Sequence, residues 1–247
     1  MQPFWLALQF LTRLPTPHLV EVRAEAVGRS LLFYPLIGLI IGALMFSLSL
    51  LAINLPPMLL AVLMLGLWLF LSGALHIDGV ADMADAWVGG QGDRERTLVI
   101  MKDPYCGPMG VSAVVVVLLL KFTALIELLH TGPLLLLLAP VLGRSFAVLL
   151  MLTTPYCRDA GLASDMVRYL PRRAAWTVLA VVTGITLLWL KLMAIWLLAI
   201  SLFIFLIYRR ALMQRLQGFT GDAAGALIEI IEVVILLVAA GVIGVQV

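Results

Sequence analysis

The sequence has few charged side chains for its length. Aspartate, glutamate, lysine and arginine make up 12% of its 247 residues, about half the share of an average soluble domain. Hydrophobic residues reach 63%, and the mean hydropathy is +1.13. These values exclude an ordinary soluble domain and predict an integral membrane protein. The formal net charge is only +2, which gives no support for nucleic-acid binding.

Long apolar runs account for most of the chain. A helix needs about 20 apolar residues to cross a hydrocarbon layer of about 30 Å. The first residues, 1–16, are too short to span but contain Trp5 and Arg13, so they predict a short helix lying on the membrane surface. We expect one all-α membrane helix bundle over residues 1–247, in which 1–30 is an interfacial N-terminal segment. The seven expected transmembrane helices lie at 31–53, 58–75, 111–129, 133–154, 174–190, 192–208 and 225–245.

Basic residues predict the orientation of these spans. Thirteen of the sixteen lysines and arginines, Arg158 among them, precede the first span or follow the second, fourth and sixth spans. Short cytoplasmic loops carry an excess of such residues. We therefore expect a cytoplasmic N-terminus and cytoplasmic loops at 76–110 and 155–173. The two cysteines, Cys106 and Cys157, fall on this side, where thiols stay reduced, so we expect no disulfide.

Acidic residues collect where the second apolar run ends, in the stretch HIDGVADMADAW (76–87). If that span continues as a helix past His76, then Asp78, Asp82 and Asp85 share one face at spacings of four and three. Bound Mg²⁺ would relieve their repulsion, because it takes one or two carboxylates together with substrate phosphates. A solvated acidic helix end is the alternative. His76 points to the opposite side, where packing and catalysis are both open roles.

Two further stretches bring polar side chains to the same predicted side. Lys102 and Asp103 stand in IMKDPYCGPMG, just before the third span. A lysine there can bind phosphate, and an aspartate can bind a metal or take a proton. Arg94 and Arg96 precede them, and simple membrane anchoring is the alternative for these basic residues. Asp222 begins the stretch DAAGA, whose small residues allow the close approach of another helix or a ligand.

Ionisable residues also occur inside the apolar spans. Glu229 and Glu232 lie in the last span, Lys121 in the third and Arg144 in the fourth. Such residues are costly in a membrane and normally have partners. Ion pairing and a direct substrate role both remain open. A cation- or proton-coupled transporter, with these residues and Glu127 as a relay, is the alternative from a different functional class.

The motifs together resemble those of the cobalamin 5′-phosphate synthases, also called adenosylcobinamide-GDP ribazoletransferases. The sequence departs from that pattern at Ala86, where the family has glycine, and at Pro104 and Tyr105, where a Ser-Arg pair is expected. The matching stretches are FLTRLP (10–15), FYPLIG (33–38), HIDGVADMADA (76–86), IMKDPYCGPMGV (100–111) and GDAAGA (221–226).

This resemblance implies a Mg²⁺-dependent enzyme of the bacterial inner membrane with its active site facing the cytoplasm. A hydroxyl of α-ribazole, or of its 5′-phosphate, attacks the phosphate on the cobinamide side of adenosylcobinamide-GDP, and GMP leaves. Besides these substrates and the lipid bilayer, a homo-oligomer or an association with other cobalamin-assembly enzymes stays open. The implied roles are metal binding for Asp78, Asp82, Asp85 and Asp103, diphosphate binding for Lys102, and substrate contacts for His76, Arg94 and Arg96. The implied catalytic residues are Asp82, Lys102, Asp103 and Asp222, and which aspartate takes the proton stays open.

The acidic motif is also similar to that of the CDP-alcohol phosphotransferases. Their D-G-x-x-A-R motif is followed by spaced aspartates that bind metal at the end of membrane helices. Here Asp82 and Met83 stand at the Ala-Arg positions. A lipid enzyme of that kind is therefore the alternative within the enzyme class.

Overall fold

The structure, a computed structural model, describes residues 1–19, 21–157 and 162–244. Within those ranges it consists of helices and the segments that connect them, with one isolated bridge between Tyr156 and Phe219. Arg158 lies outside the described residues. The helices are α1 (Gln2–Leu11), α2 (Ala24–Ser30), α3 (Tyr34–Leu51), α4 (Pro57–Ser72), α5 (Leu75–Gly89), α6 (Arg94–Ile100), α7 (Pro108–Thr131), α8 (Leu138–Thr153), α9 (Leu162–Arg168), α10 (Arg172–Leu190), α11 (Leu192–Leu216) and α12 (Gly221–Gly244).

The long apolar helices make this a multi-pass membrane protein, as predicted. In the described ranges six helices are long and apolar enough to cross a membrane, and α4 with α5 gives a seventh if that bent pair forms one span. A 3-10 turn at Leu31–Phe33 joins α2 to α3, so the first candidate span begins at Ala24 rather than at 31. The other five are Pro108–His130, Pro133–Thr153, Arg172–Leu190, Leu192–Leu216 and Gly221–Gly241.

A sharp corner separates α4 from α5. The two helices meet at 88°, and the linking residues Gly73 and Ala74 both have positive φ, 60° and 56°. A positive φ is uncommon for a residue with a Cβ. Arg13 covers the corner, since its backbone N–H donates to the carbonyl of Leu71 at 2.8 Å. The second span therefore does not continue straight past His76, and the acidic residues lie on a separate helix.

The core of the bundle is built around α8 and α12, which are the most buried of the candidate spans. α12 packs against α5, α7, α8 and α11, and α3 packs against α8. α5 and α12 approach very closely, because a Cβ at Gly79 would lie 2.6 Å from the carbonyl oxygen of Asp222. α10 and α11 lie at the periphery and present large apolar side chains, such as Trp176 and Trp196, outward.

The N-terminal segment packs onto the start of α3. α1 contacts α2 and α3, and its Phe4 and Phe10 rings lie 5.9 Å and 6.5 Å from those of Phe33 and Tyr34. Residues Gln2–Leu11 are thus helical as predicted. Their position at the membrane surface and the cytoplasmic side of the N-terminus remain predictions.

Candidate active site

The three aspartates of the acidic motif share one helix. α5 contains Asp78, Asp82 and Asp85, and spacings of four and three place them on one face. Asp78 is exposed, and the other two are half-buried. The predicted acidic face therefore exists on α5, although this helix turns away from α4 instead of extending it.

His76 lies on the other side of α5, buried against α12. Its side chain is buried, and neither ring nitrogen has a hydrogen-bond partner in the described structure. A Cβ at Gly225 of α12 would lie 3.4 Å from the His76 Cα atom. His76 is buried and Asp78 is exposed, so the two side chains lie on opposite sides of α5, as predicted. His76 faces the core of the bundle.

Asp85 binds the amino-terminal end of α7. One carboxylate oxygen accepts the N–H of Gly107 at 2.6 Å, and the other accepts the N–H of Gly110 at 2.9 Å. A Cβ at either glycine would lie within 2.6 Å of this carboxylate. The partial positive charge of a helix amino terminus stabilises such an anion. The stretch CGPMG, predicted only as a turn, is therefore an anion-binding helix start with Pro108 at its first position.

The loop between α6 and α7 lies beside the acidic face. Lys102 and Asp103 are exposed there, and the Asp103 carboxylate accepts the N–H of Tyr105 at 3.0 Å. Partial desolvation, and then the negative charges of Asp85 and Asp82, raise the pKa of the Cys106 thiol. Because Asp85 on α5 accepts the N–H groups of Gly107 and Gly110, this loop ends against the acidic face, and the MKD and acidic motifs lie in one region.

Asp222 joins the same region from α12. It is half-buried in the first turn of that helix, and its carbonyl lies against Gly79 on α5. Among the described residues, no group of three or more histidine, cysteine, aspartate or glutamate side chains is arranged to hold a metal ion. Magnesium binding stays a prediction from the family resemblance.

One of the two arginines on α6 binds another helix. Arg94 donates from Nε to the carbonyl of Leu216 at the end of α11, at 2.8 Å, while the side chain of Arg96 is exposed. A third arginine was not among the predicted site residues. Arg215 donates to Thr97 Oγ1 at 3.0 Å and to the Trp87 carbonyl at 2.9 Å. Its position after the sixth span is the one sequence feature that could have drawn attention to it.

The ionisable residues within the spans form a buried cluster. Lys121 lies 2.8 Å from Glu229 and 2.5 Å from Glu232, and Arg144 donates to Glu232. The Lys121 ammonium also lies 4.4 Å from the centre of the Trp68 ring. The ion-pairing interpretation is thus confirmed.

Glu127, the fifth member of the alternative relay, is exposed on α7. It therefore does not share the buried environment of the four ion-paired residues. The proposed relay is split between the interior of the bundle and its outer surface.

Comparison with known proteins agrees with the motifs. The family model for cobalamin-5-phosphate synthase matches residues 3–240. Two relatives named adenosylcobinamide-GDP ribazoletransferase, from Pseudomonas putida and Pseudomonas entomophila, are 51% and 50% identical over 241 and 239 residues, covering 96% of this chain and 98% of each relative. Another, from Acinetobacter baumannii, is 47% identical over 244 residues and 96% of each chain.

No solved structure matches this chain. The family model nevertheless spans nearly its whole length, and the matched residues include every acidic and basic position of the region around α5. The chain therefore belongs to the cobalamin-5-phosphate synthase family of transferases, as its sequence motifs predict.

Proposed function

We propose that this protein joins adenosylcobinamide-GDP to α-ribazole or its 5′-phosphate, with Mg²⁺ as cofactor. The acceptor hydroxyl forms a new bond to the phosphorus on the cobinamide side of the diphosphate. The bond from that phosphorus to the bridging oxygen breaks, and GMP leaves with that oxygen. The products are adenosylcobalamin, or its 5′-phosphate, and GMP.

One observation carries this proposal. Relatives that are about half identical over 96% of this chain are named for this reaction. The motif residues of this chain lie on α5 and on the elements beside it. Phosphoryl transfer depends mainly on positioning and on charge stabilisation. Acidic and basic groups on neighbouring elements are what that chemistry requires.

The donor set fits a magnesium ion. Mg²⁺ usually keeps several waters and binds one or two protein carboxylates together with substrate phosphates. Asp78 and Asp82, one helical turn apart on one face of α5, supply such a pair. When bound there, the ion offsets the negative charge of the transferring phosphate.

The remaining residues position the substrates. Lys102 is exposed and flexible enough to contact the diphosphate as a point charge. A carboxylate of the acidic face takes the proton of the attacking hydroxyl, and Asp222 adds negative charge from α12. Asp85 holds the start of α7, and with it the loop that contains Lys102, against α5. Arg94 and Arg96 are the arginines nearest in sequence to position 105, where this chain has Tyr105.

We also propose that this region faces the cytoplasm from the inner membrane. The supporting observation is that most lysines and arginines lie in the connections on the same side of the bundle as this region. Short cytoplasmic loops carry such an excess. Nucleotide-activated corrinoids are polar and charged, so an active site at a membrane surface lets them bind without entering the hydrocarbon layer.

The test is product formation by the detergent-purified protein. Adenosylcobinamide-GDP and α-ribazole 5′-phosphate are supplied with Mg²⁺ or with excess EDTA, and products are identified by chromatography and mass spectrometry. The proposal predicts GMP and a cobalamin product in equal amounts with Mg²⁺ and neither with EDTA. A monodisperse, well-folded protein that releases no GMP with either acceptor would overturn it.

A further inference from the structure

Several buried polar atoms in the interior of the bundle have no hydrogen-bond partner among the described residues. They include both ring nitrogens of His76, Nε and Nη2 of Arg144, and Nε1 of Trp68. Each of these three side chains is at most 2% exposed. An unsatisfied buried polar atom is costly, and roughly 90% or more of such groups in native proteins have a partner. Five unsatisfied nitrogens on three side chains therefore indicate partners that are not protein groups.

Ion pairs and a ring contact bring two of these side chains to the buried charge cluster. Arg144 on α8 donates from Nη1 to Glu232, which also accepts from Lys121 at 2.5 Å. The Lys121 ammonium lies 4.4 Å from the centre of the Trp68 ring on α4. Trp68 and Arg144 are thus joined through Lys121 and Glu232, although they come from different helices.

His76 enters the same interior from α5. A Cβ at Gly225 of α12 would lie 3.4 Å from the His76 Cα atom, and Glu229 follows Gly225 after about one helical turn. Lys121 pairs with that glutamate at 2.8 Å. The positive charges of Arg144 and Lys121 act on the His76 ring. The ring therefore lies beside the charge cluster, on the side of α5 that faces away from its carboxylates.

Water is the partner that fits these nitrogens. A buried water molecule typically makes about three hydrogen bonds, and it binds polar groups that the protein leaves unsatisfied. The nitrogens of Arg144 and Trp68 are donors, whereas a neutral His76 ring supplies one donor and one acceptor. Water both donates and accepts, so it satisfies all three side chains. A metal cation would be repelled by the positive charges of Lys121 and Arg144.

We propose that ordered water molecules join His76 to Arg144 and Trp68, and that His76 is a positioning residue for the acidic helix. His76 lies in the first turn of α5, two residues before Asp78. A fixed first turn sets the direction in which α5 leaves the corner after α4, and with it the position of the carboxylates. The positioning role rests on the proposed function, whereas the water site does not.

The water is tested on the wild-type protein by hydroxyl-radical footprinting. Brief X-ray exposure forms radicals from bound water, which oxidise the side chains beside it, and mass spectrometry locates the oxidised residues. Met45 is the internal control, because methionine oxidises readily and this side chain is 0% exposed on α3, a helix outside the charge cluster. We expect oxidation of Trp68 but not of Met45. A Trp68 as resistant as Met45 would overturn the proposal.

Two substitutions at position 76 separate a hydrated site from a dry one. Leucine and glutamine have similar helix propensities, but only His76→Gln keeps a donor and an acceptor. In a hydrated site His76→Leu leaves the water without partners, so its unfolding temperature falls below that of His76→Gln by about 2–4 °C or more. In a dry site the order reverses, because His76→Leu removes unsatisfied atoms. That reversed order would contradict the proposal.

Turnover separates positioning from substrate contact. Displaced carboxylates lower kcat in His76→Leu by as much as about 100-fold, and His76→Gln restores part of the loss. The KM for both substrates is nearly unchanged, because no contact with substrate is lost. Glu95→Gln, at an exposed position on α6, is the control with wild-type values. A raised KM, or a normal kcat in His76→Leu, would overturn the positioning role.

The water site and the proposed function fail in different experiments. If the wild type released no GMP, the proposed function would fail, and the footprint and the order of unfolding temperatures would still decide whether water binds at His76. The footprint uses the wild type, so it also decides the question where His76→Leu does not fold.

Discussion

Asp85 on α5 accepts the backbone N–H of Gly107 at 2.6 Å, just before α7 begins. The other oxygen of the same carboxylate accepts the N–H of Gly110 at 2.9 Å. The carboxylate of Asp85 thus has backbone partners that need no metal. This contact joins the acidic motif on α5 to the loop that precedes α7.

Substitution of Gly110 tests this contact. In Gly110→Ala the new Cβ would lie 2.4 Å from an Asp85 oxygen and 3.0 Å from the Ala81 carbonyl. We expect a lower unfolding temperature and lower activity together, with a loss of about 0.5–2 kcal/mol typical of a lost helix cap. Gly66→Ala is the control, because a Cβ there meets nothing within 4 Å. Equal unfolding temperatures for the two variants would contradict the assignment.

The buried cluster predicts large effects on stability. Glu232 contacts both Lys121 and Arg144, so Glu232→Gln leaves buried positive charge without its main partner. Breaking a buried pair typically costs about 3–5 kcal/mol. Thermal unfolding in detergent should show this loss, whereas Glu95→Gln, at an exposed position on α6, should unfold like the wild type. A Glu232→Gln protein as stable as Glu95→Gln would exclude a structural role for the cluster.

Removing a whole pair should cost less than removing one partner. Lys121→Met combined with Glu229→Leu takes out one positive and one negative charge and leaves the Arg144–Glu232 pair. We expect this double variant to unfold at a higher temperature than Lys121→Met alone, because no buried charge is left unpaired. Additive losses in the two single variants and the double variant would show that the two charges do not interact.

Cys106 reports which side of the membrane the active region faces. It is exposed, and Cys157 is half-buried with its thiol bonded to the Leu216 carbonyl at 3.4 Å. In a Cys157→Ser protein, a membrane-impermeant maleimide should label inside-out vesicles but not intact spheroplasts. Cys106→Ser in the same background should give no labelling. Labelling of intact spheroplasts would place the region on the outer side.

The same labelling should depend on pH in a defined direction. Desolvation and the charges of Asp85 and Asp82 raise the pKa of the Cys106 thiol, and the thiolate is the reactive form. Less thiolate is therefore present at neutral pH than for an ordinary thiol. The labelling rate should be low near neutral pH and increase as the pH rises above the ordinary range of a cysteine. A rate that is already maximal at neutral pH would contradict the raised pKa.

Composition and periodicity predicted the membrane bundle, and the motifs predicted the family. The corner between α4 and α5 was not predictable, because the helix resumes within three residues and the spacing of Asp78, Asp82 and Asp85 is unchanged by it. The positive φ of Ala74 depends on tertiary contacts rather than on local preference. Spacing can place side chains on one helix face, but it cannot reveal a bend of the chain between two helices.

Partners from distant parts of the chain were equally hidden. Asp85 bonds residues more than twenty positions away, and Arg215 bonds Trp87 from the other half of the protein. Lys121 and Arg144 were predicted as partners of Glu229 and Glu232 because unpaired charges are costly in a membrane.

We assign the active site of this transferase to the acidic face of α5. The assignment is tested by GMP release from adenosylcobinamide-GDP and α-ribazole 5′-phosphate by wild type, Asp82→Asn and Glu95→Gln, the last an exposed carboxylate on α6. We predict a loss of activity of about 100-fold or more for Asp82→Asn, far larger than any loss of folded yield, and near-normal activity for Glu95→Gln. Equal activity in all three proteins would show that the reaction takes place elsewhere.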